Sequence, residues 1–178
     1  MAYSARKIAF MGLMLALMLV LIAIERAMPS LPLLPPHLGR IGLPNVIVMY
    51  VLFFVGKKEA VTIAVLKAGF NVLMRGPLAG LLSLSGGLLS LIIILVLWWV
   101  FGDKISYVAL SIGGAIGHNA GQLAAFSIVF QSWSFFMFYS PVLLISGAIF
   151  GTVTGVFLRV IMPVFDRVYK RVDDDYRF

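Results

Sequence analysis

Apolar residues run along this chain in long unbroken blocks, each closed by a charge, a proline or a glycine. Six blocks stand out, at about Ala5–Met28, Gly42–Val55, Glu59–Arg75, Pro77–Phe101, Ile105–Phe130 and Ser134–Ile161. Most approach the ~20 residues that a helix needs to cross the hydrocarbon of a bilayer. The second is short and the last is long. Continuous apolarity argues against a β-barrel, whose strands alternate between lipid-facing and lumen-facing residues. The pattern predicts an all-α integral membrane protein: one transmembrane domain over residues 1–178, built as a six-transmembrane-helix bundle.

Composition strengthens this reading. With 178 residues, 62% of them hydrophobic and 12% charged, the chain has too little polar surface to cover a water-soluble globule. It contains no cysteine, which excludes disulfides and thiolate metal sites, and its two histidines cannot make a zinc site alone. No metal site is expected. The first block is too long for a signal-peptide core and no small-residue cleavage site follows it, so it is expected to be retained.

The formal charge of +7 raises the possibility of nucleic acid, but the cations sit at the ends of the apolar blocks and form no continuous face. Membrane lipid is the expected partner, and nucleic acid is not. If the six spans alternate, one side receives Arg6, Lys7, Lys57, Lys58, Lys104, Arg159, Arg167, Lys170, Arg171 and Arg177, and the other Arg26, Arg40 and Arg75. The basic side is the expected cytoplasmic one, which puts both termini inside, with a charged tail over residues 166–178. The connection from Pro29 to Ile41 carries four prolines and Gly39, and is expected as a stiff outer flap.

Small residues mark close helix approaches. Gly113, Gly117 and Gly121 recur every four residues in the fifth span, and Gly147, Gly151 and Gly155 do so in the sixth. Packing within the chain is the expectation for both. In the first span Ala5, Ala9, Gly12 and Ala16 make a comparable stripe, which can equally dock another subunit.

A few polar groups interrupt the apolar background. Lys67 falls midway along the third span, with Asn71 and Arg75 following at intervals of four, so the three share one helical face. A structural pairing of Lys67 with Glu25 competes with a functional role. His118, Asn119 and Gln122 form a second cluster in the fifth span, facing either other helices or a wet cavity. Glu25, Arg26 and Arg40 flank the flap, and Asn45 follows Pro44 at the start of the second span, whose helix N-terminus adds partial positive charge. Tyr139 is a further candidate for the same cavity, or an interfacial anchor. These groups together would suit an anionic small molecule. The acidic run Asp173–Asp175 stands alone and reads as a solvated tail. No phosphate-binding loop, nucleophile elbow or facing carboxylate pair is visible, so no catalytic residue and no resident cofactor are expected.

Gly42-Leu43-Pro44-Asn45-Val46-Ile47, Gly56-Lys57-Lys58-Glu59-Ala60, Ser83-Leu84-Ser85-Gly86-Gly87-Leu88-Leu89-Ser90 and Gly114-Ala115-Ile116-Gly117-His118-Asn119-Ala120-Gly121-Gln122-Leu123 resemble the Gx transporter family, also labelled heptaprenyl diphosphate synthase component I. The resemblance covers about residues 5–160, and that family in turn resembles the substrate-binding S components of energy-coupling factor (ECF) transporters. It implies a bacterial or archaeal cell-membrane protein with a ligand cavity near the outer face. It also implies a first helix whose Ala5, Ala9, Gly12 and Ala16 dock a transmembrane coupling subunit, Gly12 standing where alanine is usual. ATP would be used by separate ATPase subunits. The prenyl-synthase label finds no support in the residues, since allylic diphosphate chemistry needs aspartate pairs. Two readings follow: an S subunit of an ATP-driven importer for a small anionic molecule, or a quinone-interacting membrane subunit of an extracellular electron-transfer or isoprenoid-quinone pathway.

Overall fold

The computed structural model of the chain describes residues 5–27 and 42–174. Within them every regular element is helical: α1 (Ala5–Ala27), α2 (Pro44–Phe54), α3 (Lys57–Arg75), α4 (Pro77–Phe101), one 3-10 turn (Gly102–Lys104), α5 (Tyr107–Val129) and α6 (Trp133–Asp174). The flap expected over 29–41, with Arg40, and the end of the tail lie outside the described residues.

Local chemistry sets the helix ends. Pro44 and Pro77 open α2 and α4 in the first turn, where the missing N–H has no helical partner to lose. Gly76 reverses the chain between α3 and α4 in one residue, at a φ of +87° that a side chain would resist. Ser106 caps α5, its Oγ accepting from the Ala109 N–H at 3.1 Å. Pro141 lies inside α6 and cannot donate to the Met137 carbonyl; the Ser140 hydroxyl donates to it instead, at 3.3 Å.

Three stretches, Lys7–Ala27, Pro77–Phe101 and Trp133–Val160, are long and apolar enough to cross a membrane, and they mark the chain as membrane-associated. The helix that begins at Trp133 continues to Asp174, well past its apolar part. In α3 the usual arrangement of a soluble helix is inverted: Val61, Val65, Leu66 and Leu73 are exposed, while Glu59, Lys67 and Asn71 are buried. An apolar exterior around a polar interior suits lipid as the surrounding solvent.

The short second block has a different explanation. At 11 residues α2 reaches only about half-way across a ~30 Å hydrocarbon layer. Every residue from Val46 to Leu52 is buried, against α1, α3 and α6. Its all-round apolarity therefore reflects enclosure by protein.

The helices pack in chain order from α3 to α6, while α1 leans on α2 and α3, and α2 also touches α6. On α1 the buried face carries Phe10, Met14, Met18, Ile22 and Glu25, spaced three and four apart. Lys7 Nζ donates to Glu59 at 2.6 Å, which puts the start of α1 beside the start of α3. Short turns alternate the helix directions from α2 onward, so Lys7, Lys57, Lys58 and Lys104 share one end of the bundle, and Arg26 and Arg75 the other.

The glycine rows are consumed by packing within the chain. A Cβ at Gly121 would stand 2.7 Å from the Ser85 carbonyl of α4, and one at Gly155 2.7 Å from Val108 Cα of α5. Gly117 meets Ile93 of α4, and Gly151 meets Ile112 of α5. Close approach of backbones is what small residues supply where lipid offers no hydrophobic drive. The stripe on α1 differs: Ala5, Ala9, Gly12 and Ala16 are all exposed, and nothing lies within 4 Å of a Cβ built on Gly12.

Candidate functional site

The polar residues of α1, α3, α4 and α5 meet around one partly enclosed cavity at the end of the bundle away from Lys7. It is lined by Glu25, Lys67, Asn71, Arg75, Ser83, His118, Asn119 and Gln122, with Ile22, Pro44, Ala79 and Leu82 as apolar wall and Gly42 at its edge. Its volume is about 60 Å³. A cavity of ~150 Å³ admits a benzene ring, so this one suits a compact head group or a few waters.

Each polar group is held by a neighbour. Glu25 Oε1 accepts from the backbone N–H groups of Gly42 and Leu43, the latter at 3.2 Å. The carboxylate thus satisfies donors at the start of α2 and complements that end of the helix dipole. Lys67 Nζ donates to Asn45 Oδ1 at 2.6 Å, tying the middle of α3 to the first turn of α2. Asn71 Nδ2 donates to the Lys67 carbonyl at 3.0 Å and to Ser83 Oγ at 3.1 Å. Gln122 Nε2 lies 3.1 Å from His118 Nε2, and the His118 Nδ1 edge faces Gly86 of α4, where any Cβ would stand 2.8 Å away. Asn119 Nδ2 donates to the Leu143 carbonyl of α6 at 2.9 Å, so it joins the wall of the cavity to the last helix.

Two clusters that are far apart in sequence therefore come together: Lys67, Asn71 and Arg75 from α3 with His118, Asn119 and Gln122 from α5, joined by Glu25. Asn45 sits just behind, holding Lys67. Tyr139 does not join them. It stacks on Phe135 at 6.1 Å and lines a separate, mostly apolar cleft of about 770 Å³ with Trp133, Met137 and Phe138. The reason is its place on α6, none of whose described residues lines the cavity. Arg40 lies outside the described residues.

Ser83 is the lining residue that the polar pattern of the sequence did not single out. A signal was present, since Ser83, Gly86, Gly87 and Ser90 recur at helical spacing and are all buried on α4. Small and weakly polar residues at that spacing read as packing, and Ser83 stands out only once Asn71 is seen donating to it.

Among the described residues Glu25 is the single carboxylate on the cavity wall. Glu25→Ala should remove two charge-assisted hydrogen bonds at the start of α2 and lower stability by about 2 kcal/mol. Thermal unfolding in detergent checks this; an unchanged midpoint would show that the α2 terminus is held some other way.

Fold and cavity together define a class: a membrane-associated helical bundle with a partly enclosed polar cavity at one end. The chain belongs to the heptaprenyl diphosphate synthase component I family, whose model matches residues 14–161 and so takes in all the described lining residues. Neither the curated proteins nor the solved structures yield a match to it.

Proposed function

We propose that the chain is a ligand-binding membrane subunit, the S component of an ECF-type importer for a small anionic molecule, crossing the membrane several times, with the short α2 enclosed among the spans and both termini in the cytoplasm. The observation that carries this reading is the cavity itself. Two cations, Lys67 and Arg75, face it against one carboxylate, and the remaining polar wall is made of neutral hydrogen-bonding side chains. Such a wall suits reversible capture of an anion.

Partner subunits fit the same reading. The family description calls its members a component, and the exposed small-residue face of α1 offers backbone close approach to another helix. With no catalytic or ATP-hydrolysing motif, the chain serves as a binding subunit, and ATP is used by its partners. Clustering of Lys7, Lys57, Lys58 and Lys104 at one end favours that end as the cytoplasmic one.

Co-expression with an ECF coupling subunit and its ATPases, followed by co-purification, tests the assignment. Gly12→Leu should not lower the thermal midpoint of the isolated protein, because a Cβ there meets open space and leucine is the better helix former. It should abolish co-purification. Full recovery of the complex with Gly12→Leu would move the docking face elsewhere, and the lack of any complex with wild type would sink the importer reading.

A second reading, interaction with a quinone, draws on the aromatic cleft around Trp133, Phe135 and Tyr139, which is large and apolar enough for a ring. Quenching of Trp133 fluorescence by a menaquinone-like molecule, absent in Trp133→Phe, would favour it.

A further inference from the structure

Asn71 and Asn119 both turn their amide nitrogens into the protein. Asn71 Nδ2 donates to the Lys67 carbonyl and to Ser83 Oγ, and Asn119 Nδ2 donates to the Leu143 carbonyl. A backbone carbonyl can only accept, so each amide is fixed with its NH2 group against that carbonyl and its oxygen turned away. Neither Oδ1 receives a hydrogen bond among the described residues, and neither is sealed inside protein. Both side chains line the cavity and are more than nine-tenths buried, at 6% and 8% exposed. The two oxygens therefore open onto the cavity as acceptors that lack donors. The second oxygen of Glu25 adds to them, since the N–H groups at the start of α2 bond to Oε1.

Lys67 gives the same cavity the opposite character. Its ammonium spends one N–H on Asn45 Oδ1, which leaves its charge and its remaining donors for a ligand. An anionic group suits Lys67, but a plain anion would leave the amide oxygens bare, and a buried acceptor without a donor is costly. An anion of higher charge would also face the Glu25 carboxylate. Lys67 and Asn71 stand one helical turn apart on α3, about 5–6 Å between their Cβ atoms, so the acid and the donor that answer them must be close neighbours. The size of the cavity, about 60 Å³, requires the same closeness. A carboxylate is the most compact of the common anionic groups and leaves room for a donor beside it.

We infer that the head group taken by this cavity is a carboxylate with a hydroxyl or amino group on the adjacent carbon, the acid set on Lys67 and the donor shared by the amide oxygens of Asn71 and Asn119. This rests on the cavity being the ligand site. The cavity is only partly enclosed, so the rest of a larger molecule can extend through its open side.

The test is thermal unfolding of the full chain in a neutral detergent, titrated at constant ionic strength with glycolate, glycine and propionate. The three have the same size and each carries a carboxylate; glycolate adds a hydroxyl and glycine an ammonium where propionate has a methyl group. Glycolate, glycine or both should raise the midpoint saturably, with an apparent affinity about tenfold or more above that of propionate. Whichever of the two acts names the donor. Asn71→Leu and Asn119→Leu each remove one acceptor at similar volume and should bring that preference toward parity. The comparison is made within each variant, so a lower ligand-free midpoint from the lost bond to Ser83 or Leu143 does not enter it. If a variant fails to fold, the wild-type comparison still decides.

Propionate matching glycolate and glycine overturns the inference; loss of that common response in Lys67→Met would then keep the cavity as a site for anions in general. A wild-type preference for glycolate or glycine that survives in both asparagine variants overturns it as well, because the donor is then met elsewhere. If none of the three compounds shifts the wild-type midpoint, the inference and the cavity reading fall together.

Discussion

Replacing Lys67 with methionine should abolish anion-dependent stabilisation and ligand uptake while leaving a folded protein. Lys67 is 7% exposed, midway along α3, and its ammonium is fixed by Asn45 Oδ1 at 2.6 Å. In so enclosed a place a unit charge about 4 Å from an anion contributes about 4 kcal/mol at an effective dielectric of ~20. Its loss therefore costs on the order of a hundredfold or more in affinity. Folding is affected less. Methionine fills a similar volume, removal of a buried charge relieves its desolvation, and the main debit is the Asn45 oxygen left without a donor, at about 1–3 kcal/mol. Uptake assays with reconstituted partners and thermal unfolding titrated with small anions such as phosphate and acetate both read this out. Wild-type behaviour in both would leave Lys67 as structural glue between α2 and α3, and the ligand site would have to be sought elsewhere.

Gly151→Ala should be the most damaging single methyl addition in the bundle. Its Cβ would stand 2.6 Å from Ile112 Cα and 3.0 Å from the Ser111 carbonyl, both backbone atoms of α5 that no rotamer change can move. The helices must part, at about 1–3 kcal/mol for overpacking, which exceeds the ~1 kcal/mol that alanine returns in helix propensity. Gly12→Ala is the matched control. Nothing lies within 4 Å of its Cβ, so only the propensity gain applies, and the midpoint should hold or rise. The effect of Gly151→Ala should also reach the cavity, because Asn119 donates to Leu143 across the same α5–α6 interface. A midpoint for Gly151→Ala equal to that of Gly12→Ala would show that α5 and α6 are less tightly apposed than the geometry has them.

Much of the helical layout was legible because each apolar block ends at residues with strong local preferences. Pro44 and Pro77 begin helices, Gly76 turns the chain, and the blocks between them are too uniformly apolar to be anything but helix in lipid or helix in a protein core. Which of those two applied to the second block was not legible. The run Val46–Leu52 looks the same whether lipid or protein surrounds it, and only its burial against α1, α3 and α6 separates the cases. The glycine rows likewise announced close packing without naming the partner; contact geometry assigns Gly121 to α4 and Gly151 to α5.

The polar residues follow the same division. By itself the sequence determined which side chains are anomalous, because an ammonium, an imidazole or an amide within a long apolar block is costly wherever the block lies, and that cost is independent of neighbours. It placed Lys67, Asn71 and Arg75 on one face because helical periodicity is local. Tertiary structure decided what those faces meet: that α3 and α5 turn their polar residues toward a shared cavity, that Glu25 is occupied by the start of α2, that Ser83 belongs to the wall and Tyr139 to another cleft. Such pairings depend on the rotation and depth of one helix against another. Those are fixed by packing summed over many residues, and no stretch of sequence encodes them alone.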